Sequence, residues 1–544
     1  MLKNDNIVMI SKKLQENKTY IEERLKDCGD IQIRSMRMGE ARKADCLMVY
    51  IEVATSNMML EDSALGKMIS HFWEISPEQI QEFVKYNSLG IADVKKLKDM
   101  EEVFASVLAG NAVFFIDGFD QAMKISSVGY PRMGVTEAET EKVLRGSKEG
   151  FSDSVKTNSA LVRKRLRDTR MKVVEYYIGS RSHTLVQVLY MEDLAREELL
   201  EQVKERLEEF KIDGILDSGM LEQLTEDSWL SPFPQYQTTE RPDRAAQEIL
   251  NGKIVLLCDN SPVALILPGS FNSFLESGED WYNRFEMASF LRILRYLAMA
   301  AATLLPGLYL AVIRFHTQIL PSNMILSFAQ AREGVPFSSI AELVILELSF
   351  ELIREAGVRI PGALGNAMGI VGGLIVGSAA VEANLVSPIV VMVVALTALG
   401  SLTIPNEEFA SAFRLLKYFF LFLGGYLGIY GIVAGMYLTV SHLAGLLSFG
   451  VPYLVPFIQK NTLKGTGAGI WRPPFRRRWK RPMYAKEEQK VRLRRMGTSE
   501  GAVPEPPEAG PDHGAHILQK AFFKHALERQ GRQEEKRRNE ICRK

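Results

Sequence analysis

The hydrophobic residues of this chain are concentrated in its second half, behind a long polar first half. Four long apolar runs lie there, at 293–313, 363–381, 387–404 and 418–440. The hydrocarbon core of a bilayer is about 30 Å thick and takes about 20 apolar residues in a helix. Three of the runs reach that length and 387–404 nearly does. We therefore predict four transmembrane spans, since soluble proteins rarely contain such runs in series.

The polar first half contains an internal duplication with an offset of about 140 residues. The recurring segments are a helix, a hairpin and an apolar strand, at 17–27 and 158–168, 38–52 and 178–192, and 110–117 and 252–259. Helical stretches at 197–211 and 241–250 lie between the strand pairs of the second copy. Each copy is therefore predicted to be a small α+β unit with its own core.

The predicted fold is an α+β tandem-duplicated cytoplasmic domain followed by a polytopic α-helical membrane domain. The predicted parts are a first repeat, a second repeat, a helical membrane domain, and a basic juxtamembrane segment with a disordered or helical tail, at 1–146, 147–284, 285–459 and 460–544. An interface between two similar units is a common place for a small ligand. A duplication is equally well explained as a larger scaffold, and both interpretations stay open.

A fifth apolar stretch, 340–353, carries Glu342, Glu347 and Glu351. A carboxylate at membrane depth costs several kcal/mol unless it is paired or hydrated. Because Glu347 and Glu351 are four residues apart, they lie on one helix face, whereas Glu342 points away from Glu347. One hypothesis is that these three residues line a hydrated cation pathway.

The competing hypothesis for this acidic stretch is that its carboxylates pair with arginines in an interfacial or re-entrant helix. The candidate partners are Arg332, Arg354 and Arg359. Four full spans with a non-spanning acidic stretch then fit best, since an even number of crossings keeps both ends of the chain in the cytoplasm.

Four glycines repeat at every fourth position of one apolar run, at Gly365, Gly369, Gly373 and Gly377. Such a stripe lets two helices approach closely within lipid. It predicts tight helix packing, either within one chain or between copies.

Backbone irregularity is predicted in the first span, where Pro306 and Gly307 interrupt the apolar run. Arg292 and Arg295 stand at the start of that span. Long basic side chains at a helix end commonly reach towards the headgroups, so we expect both arginines to extend to the cytoplasmic face.

The end of the membrane half is strongly basic. The basic residues are Arg472, Arg476, Arg477, Arg478, Lys480 and Arg481. Such clusters are typical of the cytoplasmic side of a membrane protein, and the first residues contain no apolar signal segment. Trp471, Phe475 and Trp479 are interleaved with these residues. Anionic lipid headgroups are a better predicted partner than nucleic acid, because the segment directly follows an apolar run.

Composition adds little to this pattern. The 544 residues are 24% charged with a formal net charge of zero, and the four cysteines are scattered. The chain lacks a phosphate-binding loop, a zinc-binding HExxH pair and a GxSxG nucleophile motif. We therefore predict no enzymatic activity, no cofactor and no metal site.

Several long motifs, spread from about residue 141 to residue 457, resemble the GerA family of spore germination proteins. These are EKVLRGSKEGFSDSVKTNSALVRKRLRD, DGILDSGMLEQL, SPFPQYQTTERPD, AREGVPF, ELSFELIREAGVRIP and SFGVPYLVPF. The extended charged tail after residue 495 departs from the family pattern. The resemblance implies the A subunit of a nutrient germinant receptor in the inner membrane of an endospore. It also implies a transporter-like B subunit and a lipoprotein C subunit as partners, and ion release when nutrients are sensed.

Three alternatives stay open at this point. The related SpoVAF protein resembles the same core, a non-conducting scaffold would use the duplicated domain and the glycine stripe for self-association, and a secondary transporter would couple uptake to substrate. The receptor A subunit, acting as an oligomeric cation-conducting or gating subunit, is the favoured prediction.

Overall fold

A computed structural model of the chain describes residues 8–38, 44–54, 94–125, 130, 137–138, 140–358, 376–457, 469–478 and 480–493. The apolar run at 363–381 lies largely outside the described residues. So do Gly365, Gly369 and Gly373, whereas Gly377 is described.

The first repeat pairs helices with an antiparallel sheet. Its elements are α1 (Leu14–Arg24), β1 (Ile31–Met38), β2 (Ala44–Ile51), β3 (Val94–Leu97), α2 (Met100–Leu108), β4 (Ala112–Ile116) and β5 (Ala122–Ile125). The strand order in the sheet is β1-β2-β4-β5-β3. The sheet is apolar on both faces of β4, all five residues of which are buried.

The second repeat has the same topology. Its elements are α3 (Val155–Arg163), β6 (Met171–Ile178), β7 (Thr184–Met191), α4 (Glu197–Glu209), α5 (Ser218–Thr225), β8 (Gln237–Thr239), α6 (Pro242–Leu250), β9 (Ile254–Cys258) and β10 (Ala264–Leu267). Its strand order, β6-β7-β9-β10-β8, matches the first sheet position by position. Short helices α7 (Phe271–Phe274) and α8 (Glu279–Tyr282) lead into the helical half. The predicted tandem α+β duplication is therefore confirmed.

Matched hydrogen bonds show how closely the two copies correspond. The Asn17 amide oxygen accepts from the backbone N–H of Ser11 at 2.8 Å, and its NH₂ group donates to the Ser11 carbonyl at 2.7 Å. Asn158 makes the same two bonds to Ser152, at 2.8 and 2.6 Å. Each asparagine satisfies backbone groups just before a helix that would otherwise lack a partner.

The aspartates that end the recurring apolar strands also have one shared role. Asp117 accepts from the backbone N–H of Leu14 at 2.9 Å, and Asp259 accepts from that of Val155 at 3.1 Å. Both bonds tie the end of a buried strand to the first turn of the helix that packs on it, where a negative charge is favourable.

A buried ion pair joins the two repeats. The Arg163 guanidinium donates two hydrogen bonds to the Asp30 carboxylate, each 2.8 Å long, and both side chains are almost fully buried. Next to this pair, the backbone N–H of Gly29 donates to the Val173 carbonyl at 2.9 Å. The first repeat therefore continues its backbone pairing into the second.

The helical half follows the second repeat directly. Its elements are α9 (Phe285–Phe315), a 3₁₀ turn (Thr317–Ile319), α10 (Ser322–Gln330), α11 (Ser339–Val358), α12 (Pro388–Leu402), α13 (Glu407–Gly445), β11 (Leu447–Ser448) and β12 (Val451–Pro452). Among the described residues, α9 and α13 are long and apolar enough to cross a membrane, and α12 is a shorter apolar helix. The acidic stretch at 340–353 lies inside α11, a helix of 20 residues.

Helix α9 continues through Pro306 and Gly307, so the interruption expected there is wrong. Gly307 instead provides a close helix crossing. A Cβ atom at Gly307 would collide with the backbone of Phe420, and one at Gly424 would collide with the backbone of Gly307. The absence of side chains therefore lets α9 and α13 come into backbone contact, as small residues do between membrane helices.

Helix α13 is a hairpin of two helical arms. Gly428 has φ 65° and ψ −148°, a conformation that L side chains rarely adopt, and it separates residues 407–427 from 429–445. A straight helix would put Phe409 and Leu443 about 50 Å apart at a rise of 1.5 Å per residue. Instead, both belong to one buried cluster.

The reversal at Gly428 changes the interpretation of the last apolar run. The span predicted near 418–440 crosses the bend, so it consists of parts of two antiparallel arms rather than one helix. The arms are about 31 and 26 Å long, each close to the thickness of a hydrocarbon core. Both ends of the hairpin return to the α+β domain.

The basic segment after the membrane half folds back onto the second repeat. The Arg472 guanidinium is buried and donates to the carbonyls of Asn283 and Trp281, at 2.7 and 3.1 Å. Arg478 lies 4.0 Å above the Trp281 ring. These two arginines of the predicted lipid-binding stretch therefore contact protein, whereas Arg476 and Arg477 are exposed.

Arg292 and Arg295 do not extend towards the headgroups as expected. Both pair with the buried carboxylate of Asp280, at 2.9 and 2.8 Å, and Arg292 also lies 3.1 Å from Glu276. Burial of these charges inside the domain anchors the first turns of α9 to the second repeat.

We expect Arg163→Ala to lower the free energy of unfolding by about 3 to 5 kcal/mol, because it leaves the Asp30 carboxylate buried without its partner. Chemical unfolding of the detergent-solubilised chain, followed by circular dichroism, measures this change. Lys156→Ala is the control, since it removes a half-exposed pair across the same interface, 3.0 Å from Glu52. That substitution should cost about 1 kcal/mol or less. Equal losses in the two variants would contradict the prediction.

Candidate functional site

The acidic helix α11 packs against the first arm of the α13 hairpin through a buried ion pair. Lys417 Nζ lies 2.5 Å from Glu347 Oε2, and the side chains are 7% and 3% exposed. The second oxygen, Glu347 Oε1, is buried and has no hydrogen-bond partner among the residues that the structure describes. A buried pair is held by the attraction between its members, and separating them leaves a charge in an apolar environment.

Glu351 lies one turn further along α11 and also faces basic side chains. It forms an ion pair with Arg354 of its own helix, and Arg414 Nε of the hairpin lies 3.7 Å from it. Arg414 also binds Glu407, in the first turn of α13, at 2.8 Å. Glu351 is partly exposed, so this contact is weaker than the Lys417 pair.

Glu342 occupies the other end of α11 and is fully buried. Its carboxylate accepts from Arg332 at 3.0 Å and from the backbone N–H of Ser387 at 3.0 Å. Ser387 is the N-cap residue of α12, so Glu342 supplies a negative charge at a helix N-terminus.

Each carboxylate proposed from the sequence as a pathway residue is therefore paired with a basic side chain of this chain. Two of these partners, Arg332 and Arg354, are predicted from the sequence, whereas Arg359 lies outside the described residues. Lys417 and Arg414 were missed. The signal for Lys417 is that it is the one lysine between residues 285 and 457 and directly precedes the apolar run at 418–440, where a charge requires a partner.

An aromatic cluster at the base of the hairpin connects it to the second repeat. Phe274 of α7 stacks on Phe409 of α13, with ring centroids 5.0 Å apart and planes at 10°. Phe409 also contacts Phe413 at 4.9 Å and Phe271 at 5.3 Å, both edge to face. Aromatic pairs of this kind add to the energy of burial, so the base of α13 and the second repeat form one packed unit.

The chain that leaves the hairpin returns into the second repeat. Phe449, in the β11–β12 turn, joins the buried cluster on one face of the second sheet and lies 5.2 Å from Tyr236. Its backbone N–H donates to Asp227 at 2.8 Å. On the entering side, the Asn406 amide donates to the Thr238 hydroxyl at 3.0 Å. The second repeat therefore holds both ends of the hairpin.

Two carboxyl groups of the second repeat lie near this junction with perturbed protonation. Burial raises the pKa of Glu222 above its usual range, and the nearby charges of Glu408 and Glu226 raise it further. Burial also raises the pKa of Glu226, to about 7. The base of the α13 hairpin therefore lies next to two carboxyl groups, Glu222 and Glu226, that bind a proton more strongly than exposed carboxyl groups do.

The groove between the two repeats was the sequence-based candidate for a ligand site. It is lined by Gly29, Glu52, Lys156, Glu175 and Gln187, among others. Lys156 bonds Glu52 across it at 3.0 Å, and Gln187 donates to Glu175 at 2.9 Å. The groove is small, and both the ligand hypothesis and the scaffold hypothesis stay open.

Glycines other than the predicted stripe produce the close packing in the described helices. Gly424, Gly428, Gly431 and Gly435 lie along the α13 hairpin, and a Cβ atom at Gly435 would lie 2.7 Å from Leu423 Cδ1. Their spacing of three and four residues was visible in the sequence and was missed. Gly377, the one described member of the stripe, faces Val391 of α12.

The architecture defines a class of protein. A tandem α+β domain leads into apolar helices that include two long enough to cross a membrane, and the last helical hairpin is anchored in that domain. A family model described as Bacillus/Clostridium GerA spore germination protein matches residues 19–484. The chain belongs to the GerA family of spore germination proteins, as the sequence motifs predicted.

Two proteins of Bacillus subtilis match most of this chain over most of their own length. The uncharacterized membrane protein YfkQ of Bacillus subtilis (strain 168) is 39% identical over 445 residues, which are 82% of this chain and 86% of YfkQ. Spore germination protein KA of the same organism is 34% identical over 485 residues, 89% of each protein. A crystal structure of the N-terminal domain of the A subunit of the Bacillus megaterium spore germinant receptor GerK3 is 26% identical with a TM-score of 0.39, covering 49% of this chain and 98% of that chain.

We expect Gly428→Ala to destabilise the helical half, because alanine at φ 65° is strained by about 1 to 3 kcal/mol. Its Cβ would also lie 3.0 Å from His316 Cε1 and 3.2 Å from Phe315 Cβ. Thermal unfolding of the detergent-solubilised chain measures the effect. Gly445→Ala is the matched control in the same hairpin, where a Cβ meets open space. An unchanged midpoint for Gly428→Ala would show that the bend does not require glycine.

Proposed function

We propose that this protein is the A subunit of a nutrient germinant receptor in the inner membrane of the endospore. It acts in spore germination as an oligomeric cation-conducting or gating subunit. Its partners are a transporter-like B subunit and a lipoprotein C subunit, and its N-terminal domain and C-terminal tail are cytoplasmic. Membership of the GerA family and the names of its relatives support the role in germination.

The buried Glu347–Lys417 pair is the observation that supports a gating role. It joins the acidic helix α11 to the arm of α13 whose base is packed into the second repeat. In this arrangement the carboxylates of α11 are neutralised by side chains of the same protein. Conduction therefore requires α11 and the first arm of α13 to separate, which exposes Glu347 to water and cations.

The second repeat is placed to bias this movement. Its aromatic cluster fixes Phe413, which directly precedes Arg414 and lies about one helical turn before Lys417. A tilt of the domain would move those basic residues relative to α11. A nutrient bound by a partner subunit need only favour one of two arrangements, since a ligand shifts an equilibrium by its difference in affinity for the two states.

A non-conducting scaffold that clusters receptors, or an accessory protein like SpoVAF, is the alternative function. Pairing of the described α11 carboxylates within the chain favours it, because paired carboxylates do not by themselves bind mobile cations. The two hypotheses predict different effects of removing the α11 carboxylates on cation release: a loss for the conducting subunit and no direct effect for the scaffold.

We expect the double substitution Glu347→Gln and Glu351→Gln to abolish nutrient-triggered cation release from spores without changing protein levels. Both replacements keep side-chain size and remove the negative charge on the α11 face towards α13. Potassium release after nutrient addition and immunoblotting are the measurements. Glu286→Gln, an exposed carboxylate in the first turn of α9, is the control. Normal release in the double variant removes these residues from the pathway.

Lys417→Met should cause cation leakage without nutrient, because it removes the counter-ion that holds Glu347 in the closed arrangement. Adding Glu347→Gln to Lys417→Met separates the two explanations of such a leak. If cations pass along the Glu347 carboxylate, the double variant should release no potassium without nutrient. If removal of Lys417 only weakens the packing of the two helices, the double variant should release potassium as the single variant does. The measurement is potassium efflux from spores that carry the whole receptor. The gating role of the pair would be contradicted if the Lys417→Met single variant released no potassium in the absence of nutrient.

A further inference from the structure

Two large apolar side chains project from the second repeat next to the hairpin. Trp229 is 67% exposed and Leu230 is 76% exposed, at adjacent positions of one turn. Soluble domains seldom expose a tryptophan and a leucine side by side without a partner.

The turn that carries these residues is held rigidly. Ser231 donates its backbone N–H to the Ser228 carbonyl at 3.1 Å, closing the turn. Just before it, Asp227 is fixed by Arg206 at 2.7 Å. The exposure of Trp229 and Leu230 is therefore a property of a well-defined turn.

The position of the turn is set by the second arm of α13. Ser231 Oγ lies 2.9 Å from His442 Nε2, and the Phe233 ring lies 6.0 Å from the His442 ring. His442 is in the last turn of the hairpin. The turn therefore stands at the level where the helical half meets the α+β domain.

Exposed apolar side chains also lie on the second arm of α13, within two helical turns of His442. Tyr437, Leu438 and Val440, on the arm just before His442, are 74%, 56% and 56% exposed. On a helix of a membrane protein such residues face lipid. Tryptophan is enriched where hydrocarbon gives way to headgroups, because its ring is apolar and its N–H is polar.

We propose that Trp229 and Leu230 insert into the interfacial layer of the bilayer around α13, so that the second repeat rests on the lipid surface. The occupant is lipid because the turn contacts His442, on the arm whose exposed apolar side chains face lipid. This contact sets the tilt of the domain relative to the helices. It depends on the membrane location of α13 and is independent of whether α11 conducts cations.

The test uses the full-length protein in vesicles of phosphatidylcholine and phosphatidylglycerol with phospholipids brominated at different depths. Tryptophan fluorescence is compared between the wild type and Trp229→Phe, and the difference is the signal of Trp229. We expect this signal to be quenched most by bromines near the headgroup and to be insensitive to aqueous iodide. Trp281→Phe is the control, because Trp281 packs under Arg478, and its difference signal should not respond to brominated lipid.

Two results would overturn the proposal. Quenching of the Trp229 signal by iodide but not by brominated lipid would place the side chain in water. Quenching by neither would mean that protein covers it, in a second copy of the chain. Both results would leave the conduction proposal untouched, because potassium efflux in the α11 variants is measured separately.

Discussion

The arrangement of the helical half depends on one backbone constraint, the reversal of the chain at Gly428. A residue with φ 65° in the middle of an apolar run turns a 39-residue segment into two antiparallel arms. Because the chain reverses there, both ends of the segment reach the second repeat. Without the reversal, Leu443 could not join the buried cluster of Phe409, and His442 could not reach Ser231.

Charge burial is the second organising feature, and it follows the same physical rule in both halves. Asp30 with Arg163 joins the repeats, Asp280 with Arg292 anchors the first long helix, and Glu347 with Lys417 joins the acidic helix to the hairpin. A buried pair contributes little net stability compared with an apolar contact, but it is costly to break. Such pairs therefore determine which surfaces pack together. At a contact that can open, an ion pair distinguishes two arrangements, one with the charges paired and one with them separated.

The two repeats share a topology but have different roles. The second repeat contacts the helices, through the Phe274–Phe409 stack and the return of Phe449 into its own core. The first repeat is joined to it through the Asp30 pair and backbone bonds to β6. The hairpin is therefore attached to the α+β domain through the second repeat, and the first repeat contacts that neighbour.

The sequence by itself determined the features that depend on local pattern: the apolar helical half, the duplication, its α+β units, and the family. Asn17 with Asn158 and Asp117 with Asp259 recur at matching positions because each satisfies the backbone of its own repeat. Only the tertiary structure decided which residues meet across long separations. The single span expected at 418–440 is a hairpin, Arg292 and Arg295 bind Asp280, and Lys417 neutralises Glu347 from 70 positions away. The hydrophobic pattern of the sequence determines which residues are buried. Which residue each of them contacts depends on how the helices pack.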